Sequence, residues 1–379
     1  VGVLGGGQLG RMLQQEASTM DLDLHFLDKS KDFPAGLVTH NFTVGDFQNY
    51  DDVVSFGEDK DILTIEIENV NTDALKHLES LGKKVFPQPH IIETIKDKGL
   101  QKEFYNKNGI PTSKFFLVND KNEVVQKLKN GQLEFPFVQK SRLAGYDGKG
   151  VVVIRDESDL HKLFDIGSVI EELVDIDKEL AVIIARNEEG EINNFPVTEM
   201  VFNEKGNLLD YLICPSDISK ETAHKAIEIA QNVVNTFEMV GLLAVELFLT
   251  KSGEIIVNEV APRTHNSGHH TINANINSQF NLHLRSILNL GLGNTAQIRP
   301  YSAILNVIGD INTSVGSPTY HGLESIINDD EVYPHFYGKK IVKPLRKMGH
   351  VNINADSKDV LIQKIQKIKN TLIVNNEES

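Results

Sequence analysis

The chain has no tryptophan and a single cysteine, Cys214, among its 379 residues. One cysteine excludes an intrachain disulfide and any zinc site built on several thiolates, and it suits a reducing compartment. Long apolar runs are also missing: no stretch approaches the roughly 18 residues that a membrane-spanning helix needs. Positive charge is scarce, with 38 Lys and Arg against 53 Asp and Glu and a formal net charge of −15. That balance argues against an extended nucleic-acid or anionic-membrane surface, while local basic pockets for small anions remain open. The first residues read as a strand and a glycine turn, not as the basic-then-apolar start of a secretion signal. The expectation is a cytoplasmic protein that works on small molecules, with no nucleic-acid or membrane partner. What is present is ordinary for a globular protein, 40% hydrophobic and 24% charged residues. The length allows two or three domains, each with its own core.

Residues 241–270, GLLAVELFLTKSGEIIVNEVAPRTHNSGHH, hold the densest chemistry. Two apolar strands are expected at 242–249 and 255–260, around a turn in which Gly253 supplies the positive φ of a tight hairpin. Folding the hairpin symmetrically about Ser252-Gly253 sets Glu246 opposite Glu259, on one face, with Cβ atoms roughly 5 Å apart. Two carboxylates among aliphatic neighbours repel each other and resist desolvation unless a cation lies between them. An all-oxygen pair of this kind suits Mg²⁺, which takes one or two carboxylates and completes its octahedron with water and nucleotide phosphates. The alternative is an exposed hairpin with two unrelated glutamates. Arg263, His265 and Asn266 oppose it, because just past the second strand they offer the groups an anionic substrate requires. His265, His269 and His270 also carry a zinc-like spacing, but Gly268 weakens any helix there.

The rest of the chain supplies phosphate-binding features. A strand at 1–4 runs into GGGQLG, and a second strand at 22–27 ends at Asp28, the fingerprint of a dinucleotide site. More generally, a glycine turn opening a helix exposes N–H groups that bind any phosphate or carboxylate nearby. The strand expected at 61–68, DILTIEIE, points Glu66 and Glu68 to one face. VFPQP at 85–89 closes the first unit, because two prolines cannot continue a sheet. A helix is expected over 91–108 with Lys98 in its middle, a position that reads as solvated. A strand at 135–140 ends in Lys140, and Gly145-Tyr146-Asp147-Gly148-Lys149-Gly150 leads into a strand at 151–154. Strand, glycine loop, strand describes a flap laid over phosphates, with Lys140 as a fixed point charge. SVIEELV at 168–174 can present backbone groups to an adenine edge and a carboxylate to a ribose, and Glu179 adds a further acid. Beyond 298 the character changes, and five cations fall within nine positions from Lys339 to Lys347, a phosphate or carboxylate pocket in an acidic chain. A helix at 360–372 carries the core stripe Leu361, Ile365, Ile368 and Leu372. The tail 375–379 is expected to be disordered.

Taken together, GGGQLGRM, TIEIENV, GYDGKG, EELV, AVELF…VNEVAPR and RTHNSGHH resemble the ATP-grasp superfamily. Within it they resemble the N5-carboxyaminoimidazole ribonucleotide synthetases of purine biosynthesis. The resemblance covers nearly the whole chain, and the closing YGK…RKMGH run separates this family from other grasp enzymes. It implies an α/β chain with the ATP-grasp fold. A doubly wound, Rossmann-like domain would span 1–90, a central region with the ATP lid 91–170, and a C-terminal grasp domain 171–379, of which 298–379 is a closing subdomain. The resemblance places ATP against Lys98, Lys140, Gly145, Gly148, Lys149, Gly150, Glu171, Glu172, Leu173, Val174 and Glu179, and Mg²⁺ on Glu246 and Glu259. Gln8, Leu9, Glu68, Tyr146, His265, Asn266, Lys339 and Arg346 would bind the acceptor, aminoimidazole ribonucleotide, with Asp147, Arg263 and Lys339 catalytic. Bicarbonate would attack the γ-phosphate of ATP to give carboxyphosphate, and the CO₂ released would carboxylate the acceptor amine. The family also implies a homodimer. The chain departs from the family's R-P-G-R-K-M-G-H at Lys343, which lacks the bidentate fork of arginine, and at Leu345, where the family has glycine. Two rival readings are a formate-dependent glycinamide ribonucleotide transformylase, opposed by Gln8 and the RKMGH run, and an NAD-dependent oxidoreductase, which rests on the first 30 residues alone.

Overall fold

The computed structural model describes residues 1–143, 150–202 and 209–376. Near the N-terminus five parallel strands stand in the order Phe42–Val44, His25–Asp28, Gly2–Leu4, Ile62–Ile65, Lys84–Val85. The order reverses at Gly2–Leu4, the kind of switch point where ligands of open α/β sheets bind. Side chains alternate across these strands. Val3 and Phe26 pack on one face with Met12 and Leu13, while Leu4, Leu27 and Leu63 pack on the other with Leu75 and Leu78.

The helix expected over 91–108 is two helices, Pro89–Lys96 and Lys98–Lys107. Asp97 breaks it, with extended backbone (φ −102, ψ 107) and a carboxylate that accepts from Gly99 N at 2.8 Å and Leu100 N at 3.3 Å. An aspartate at this position satisfies amides that a new helix leaves open. Lys98 is therefore the first residue of a helix and not a mid-helix surface residue.

A small antiparallel sheet comes next, in the order Phe115–Val118, Ser168–Glu172, Phe137–Ser141, Val151–Ile154. Most of the remaining strands form a large antiparallel sheet centred on Ile176–Arg186 and Gly241–Thr250, which pair over their whole length. Helix Lys220–Phe237 lays Ala226, Ala230, Val233, Val234 and Phe237, one helical stripe, against Leu180, Val182, Ile184, Leu243, Val245 and Leu247. The opposite face carries Glu179, Ala181 and Ile183 on one strand and Ala244, Glu246 and Phe248 on its neighbour. At the Ile183 and Ala244 end, Leu282 of helix Gln279–Ile287 packs onto that face.

The hairpin expected around 252–253 forms between Gly241–Thr250 and Ile255–Ala261, and Glu246 pairs with Glu259. The route differs from simple symmetry. Leu247 pairs with Val257, so the register shifts between Glu246 and Leu247, and Asn258 is the extra residue that brings Glu259 opposite Glu246. Toward the C-terminus, Leu361, Ile365 and Ile368 are buried on helix Lys358–Thr371. The disorder expected over 375–379 is corrected at Asn375 and Asn376, while 377–379 lie outside the described residues. Ile373–Asn376 is a strand paired with Pro318–His321, and the Asn376 N–H donates to Thr313 Oγ1 at 2.8 Å. Among the described residues no helix is long and apolar enough to cross a membrane.

Candidate active site

Glu246 and Glu259 face each other at the uncovered end of the large sheet. The Lys98 ammonium forms an ion pair and hydrogen bond with Glu259 Oε2. Burial, and then the charge of Glu259, push the Glu246 carboxyl up to about 8. Burial would raise Glu259 too, but Lys98 and Lys140 overcome it and hold that carboxyl down to about 2. Burial likewise pushes Glu179, on the same face, up to about 7. Among the described residues no group of three or more His, Cys, Asp or Glu could hold a metal. The Glu246–Glu259 pair, with a cation already drawn to it, has the hard oxygen donors and the sparse protein ligation that Mg²⁺ accepts.

Lys140 reaches this pair from the small sheet. Its Nζ donates to Asn258 Oδ1 at 2.8 Å and lies 3.1 Å from Glu171 Oε1. The side chain of Glu171 is turned inward, not toward a ribose. Its Oε2 accepts from Ser113 Oγ at 2.7 Å and lies 3.2 Å from Lys102 Nζ. Burial alone would raise Glu171, yet Lys140 and Lys102 hold it down to about 2, while burial pushes Lys102 down to about 8. Glu172 and Leu173 are exposed and Val174 half-buried, so 172–174 is the part of that segment open to a ligand. Gly145, Tyr146, Asp147, Gly148 and Lys149 lie outside the described residues. At the base of that loop Ser141 N donates to Gly150 O at 2.8 Å, and Gly150 has φ +78, where glycine is at ease.

Of the other expected positions, His265 stands beside the carboxylate pair, and Arg263, Lys339 and Arg346 make contacts of their own. Arg263 pairs with Glu68 at 2.8 Å, and His265 Nε2 lies 3.5 Å from Glu246 Oε1. Lys339 Nζ donates to Gln8 Oε1 at 2.8 Å and to Lys347 O at 2.7 Å, tying the C-terminal loop to the first helix. Asn266 Nδ2 and Arg263 Nε are buried with no hydrogen-bond partner among the described residues, which suits groups waiting for a ligand. Leu9 stands on the first helix, Gln8–Thr19. Its side chain is buried in the core with Met12, Phe26 and Phe42, so only its backbone is free to meet a ligand. Arg346 NH1 donates to Ile341 O at 2.7 Å within its own loop. Leu345, where a glycine was expected from the family pattern, adopts φ +60.

The glycine turn also differs from expectation. Three of its amides are already used: Gly6 N donates to Asp28 Oδ2 at 2.7 Å, Gly7 N to Glu66 Oε1 at 2.7 Å and Gly10 N to Glu66 Oε2 at 2.8 Å. A dinucleotide phosphate would have to displace a carboxylate, which argues against the NAD reading. The strand there is shorter than expected, Ile62–Ile65. Glu66 and Glu68 consequently separate, one beneath the turn and the other toward Arg263. Sequence reasoning missed Lys102, Asn258 and Gln279. The lysine had a usable signal, since it stands one helical turn after Lys98.

The chain matches three family models: the ribonucleotide synthetase preATP-grasp domain over residues 1–96, the ATP-grasp domain over 103–280 and the phosphoribosylaminoimidazole carboxylase C-terminal domain over 302–364. It is 33% identical over 370 residues to the N5-carboxyaminoimidazole ribonucleotide synthase of Bacillus subtilis, spanning 96% of this chain and 94% of that protein. The chloroplastic phosphoribosylaminoimidazole carboxylase of Vigna aconitifolia is 37% identical over 364 residues; 94% of this chain is covered, but only 64% of that longer protein. Among solved structures, the N5-carboxyaminoimidazole ribonucleotide synthetase of Thermotoga maritima aligns with a TM-score of 0.91, at 39% identity over 99% of both chains. The Aspergillus clavatus N5-carboxyaminoimidazole synthase, in complex with ADP and 5-aminoimidazole ribonucleotide, aligns with a TM-score of 0.88 at 30% identity over 97% of both. With its preATP-grasp sheet, its small central sheet and its carboxylate hairpin in the same order along the chain, the protein belongs to the N5-carboxyaminoimidazole ribonucleotide synthase family of the ATP-grasp superfamily.

Proposed function

We propose that the chain carries out the ATP- and bicarbonate-dependent carboxylation of the 5-amino group of aminoimidazole ribonucleotide. A bicarbonate oxygen attacks the γ-phosphorus of ATP, giving carboxyphosphate and ADP. Carboxyphosphate then separates into CO₂ and phosphate. The acceptor amine adds to CO₂ and loses a proton, forming the carbamate of N5-carboxyaminoimidazole ribonucleotide. The observation that carries this reading is the facing Glu246–Glu259 pair with Lys98 drawn to it and His265 beside Glu246; the contacts Arg263–Glu68 and Lys339–Gln8 tie the expected acceptor residues in place.

In this reading Lys98 and Lys140 bind the phosphates of ATP, the segment 171–174 receives the adenine and Glu179 the ribose. Gly145, Gly148, Lys149 and Gly150 close over the nucleotide and exclude water from the short-lived intermediate. Glu246 and Glu259 hold Mg²⁺, which when bound neutralises phosphate charge as the phosphoryl group transfers. Gln8, Glu68, Tyr146, His265, Asn266, Lys339, Arg346 and the backbone of Leu9 orient the acceptor. Asp147, Arg263 and Lys339 act at the reacting groups, the two cations stabilising developing negative charge. The proposed domain division is 1–90, 91–170 and 171–379, with 298–379 closing the site. A homodimer and a cytoplasmic location complete the proposal; sedimentation tests the first, and the chloroplastic Vigna relative marks the alternative for the second. The deciding experiment is ADP release with and without aminoimidazole ribonucleotide and bicarbonate. Turnover that requires both is expected. ADP release indifferent to the acceptor, or supported equally by formate, overturns the reading.

A further inference from the structure

We propose that Gln279 is the positioning residue that holds His265 at the acceptor side of the site, a role that rests on the functional reading above. Gln279 is the first residue of helix Gln279–Ile287, and its side chain has no exposed surface. Its amide grips both backbone groups of one residue. Oε1 accepts from His265 N at 2.9 Å, and Nε2 donates to His265 O at 2.7 Å. Nε2 also lies 2.9 Å from His269 Nδ1. Burying an amide costs free energy unless its partners are present, and here the partners belong to the one loop that carries His265. A core-filling role would be served by leucine.

Two neighbours make the clamp possible. Gly268 gives it room, since a Cβ at that position would collide with Gln279 Oε1 and lie 2.6 Å from its Cδ. Thr271 Oγ1 accepts from Gln279 N at 2.8 Å and donates to Gly268 O at 2.5 Å, closing the loop onto the helix. The imidazole is then aimed by its own neighbour. Ser267 N can only donate, so its 3.3 Å contact makes His265 Nδ1 the acceptor. A neutral ring consequently carries its proton on Nε2, the atom that faces Glu246 at 3.5 Å. The ring hangs from a backbone that Gln279 fixes, so releasing the clamp displaces Nε2.

The test uses Gln279→Ala, Gly268→Ala, the double variant and Gln279→Glu, each assayed for KM of aminoimidazole ribonucleotide and of ATP. Misplacing a site group by about 1 Å can cost on the order of a hundredfold, so Gln279→Ala is expected to raise the acceptor KM or lower kcat by about tenfold or more, with the ATP KM moving less than about twofold. Gly268→Ala is expected to give the same defect. In the Gln279→Ala background it should add less than about twofold, because the methyl then has space. Gln279→Glu keeps the acceptor for His265 N and should recover part of the activity. Equal effects on both KM values, or multiplicative penalties in the double variant, overturn the proposal. Amide exchange over 264–270 separates this failure from failure of the functional reading. If the wild type shows no acceptor-dependent turnover, the reading is wrong, while faster exchange in Gln279→Ala still supports the clamp and unchanged exchange removes it.

Discussion

Replacing Glu171 by glutamine keeps its shape and removes its charge, and the surroundings set the expected cost. The carboxylate lies 3.1 Å from Lys140 Nζ and 3.2 Å from Lys102 Nζ, with a side chain 4% exposed. At an effective dielectric of about 20, each attraction is worth roughly 5 kcal/mol before desolvation is counted. Desolvation of three buried ions offsets most of that. The opposed displacements of Glu171 to about 2 and of Lys102 to about 8 reflect this balance. Two cations and the Ser113 hydroxyl outweigh burial at Glu171, whereas at Lys102 burial outweighs the pull of Glu171 and Glu259. Glu171→Gln does not return the sum to zero. It strands two buried ammonium groups, a loss of about 3–5 kcal/mol, and an unfolding midpoint lowered by on the order of 10 °C.

The pH dependence comes from the same displacements. Glu171 is depressed from its ordinary 4.5, so its contribution is complete above about 4.5 and disappears as pH falls toward 2. Without that carboxylate Lys102 gives up its proton more readily as pH rises, which relieves the stranded charge, so the penalty of the variant should shrink between pH 7 and pH 9. Thermal unfolding of the wild type and variant at both pH values measures this. Glu172→Gln is the control, since Glu172 is 58% exposed and 3.5 Å from an exposed Lys114, a pair worth less than about 1 kcal/mol. A Glu171→Gln protein as stable as that control at pH 7, or one with a larger penalty at pH 9, refutes the reasoning.

Glu259→Gln should keep the fold and lower turnover by on the order of a hundredfold or more, because an amide is a poor Mg²⁺ ligand; ADP release measured across rising Mg²⁺ checks it, and near-normal rates at ordinary Mg²⁺ sink the assignment. Arg346→Ala should raise the acceptor KM about tenfold to a hundredfold through loss of one charge-assisted contact, with the ATP KM little changed. Steady-state kinetics varying each substrate in turn reads this, and two unchanged constants would make Arg346 a surface residue bonded only to Ile341. Leu345→Gly should stabilise the protein by about 0.5–1 kcal/mol, since φ +60 strains a leucine and the residue is 42% exposed; a lower unfolding midpoint would count against that strain.

The pairing of Glu246 with Glu259 was legible because strands repeat every two residues and a glycine turn fixes the centre of a hairpin. The family followed from the order of short motifs, and the stripe Leu361, Ile365, Ile368 followed from helical periodicity. Each of these is local, set by spacing along one or two adjacent elements. What escaped depends on partners far along the chain. The glycine turn looked ready for phosphate, but Glu66, about sixty residues on, fills it. Lys98 looked solvated until Asp97 broke the helix and Glu259 stood opposite. Glu171 looked available until Lys102 and Lys140 closed around it, and Gln279 carried no motif at all. A side chain's charge and hydrogen-bonding capacity are written in the sequence, but which group satisfies them is decided by long-range packing, and only the tertiary structure fixes that.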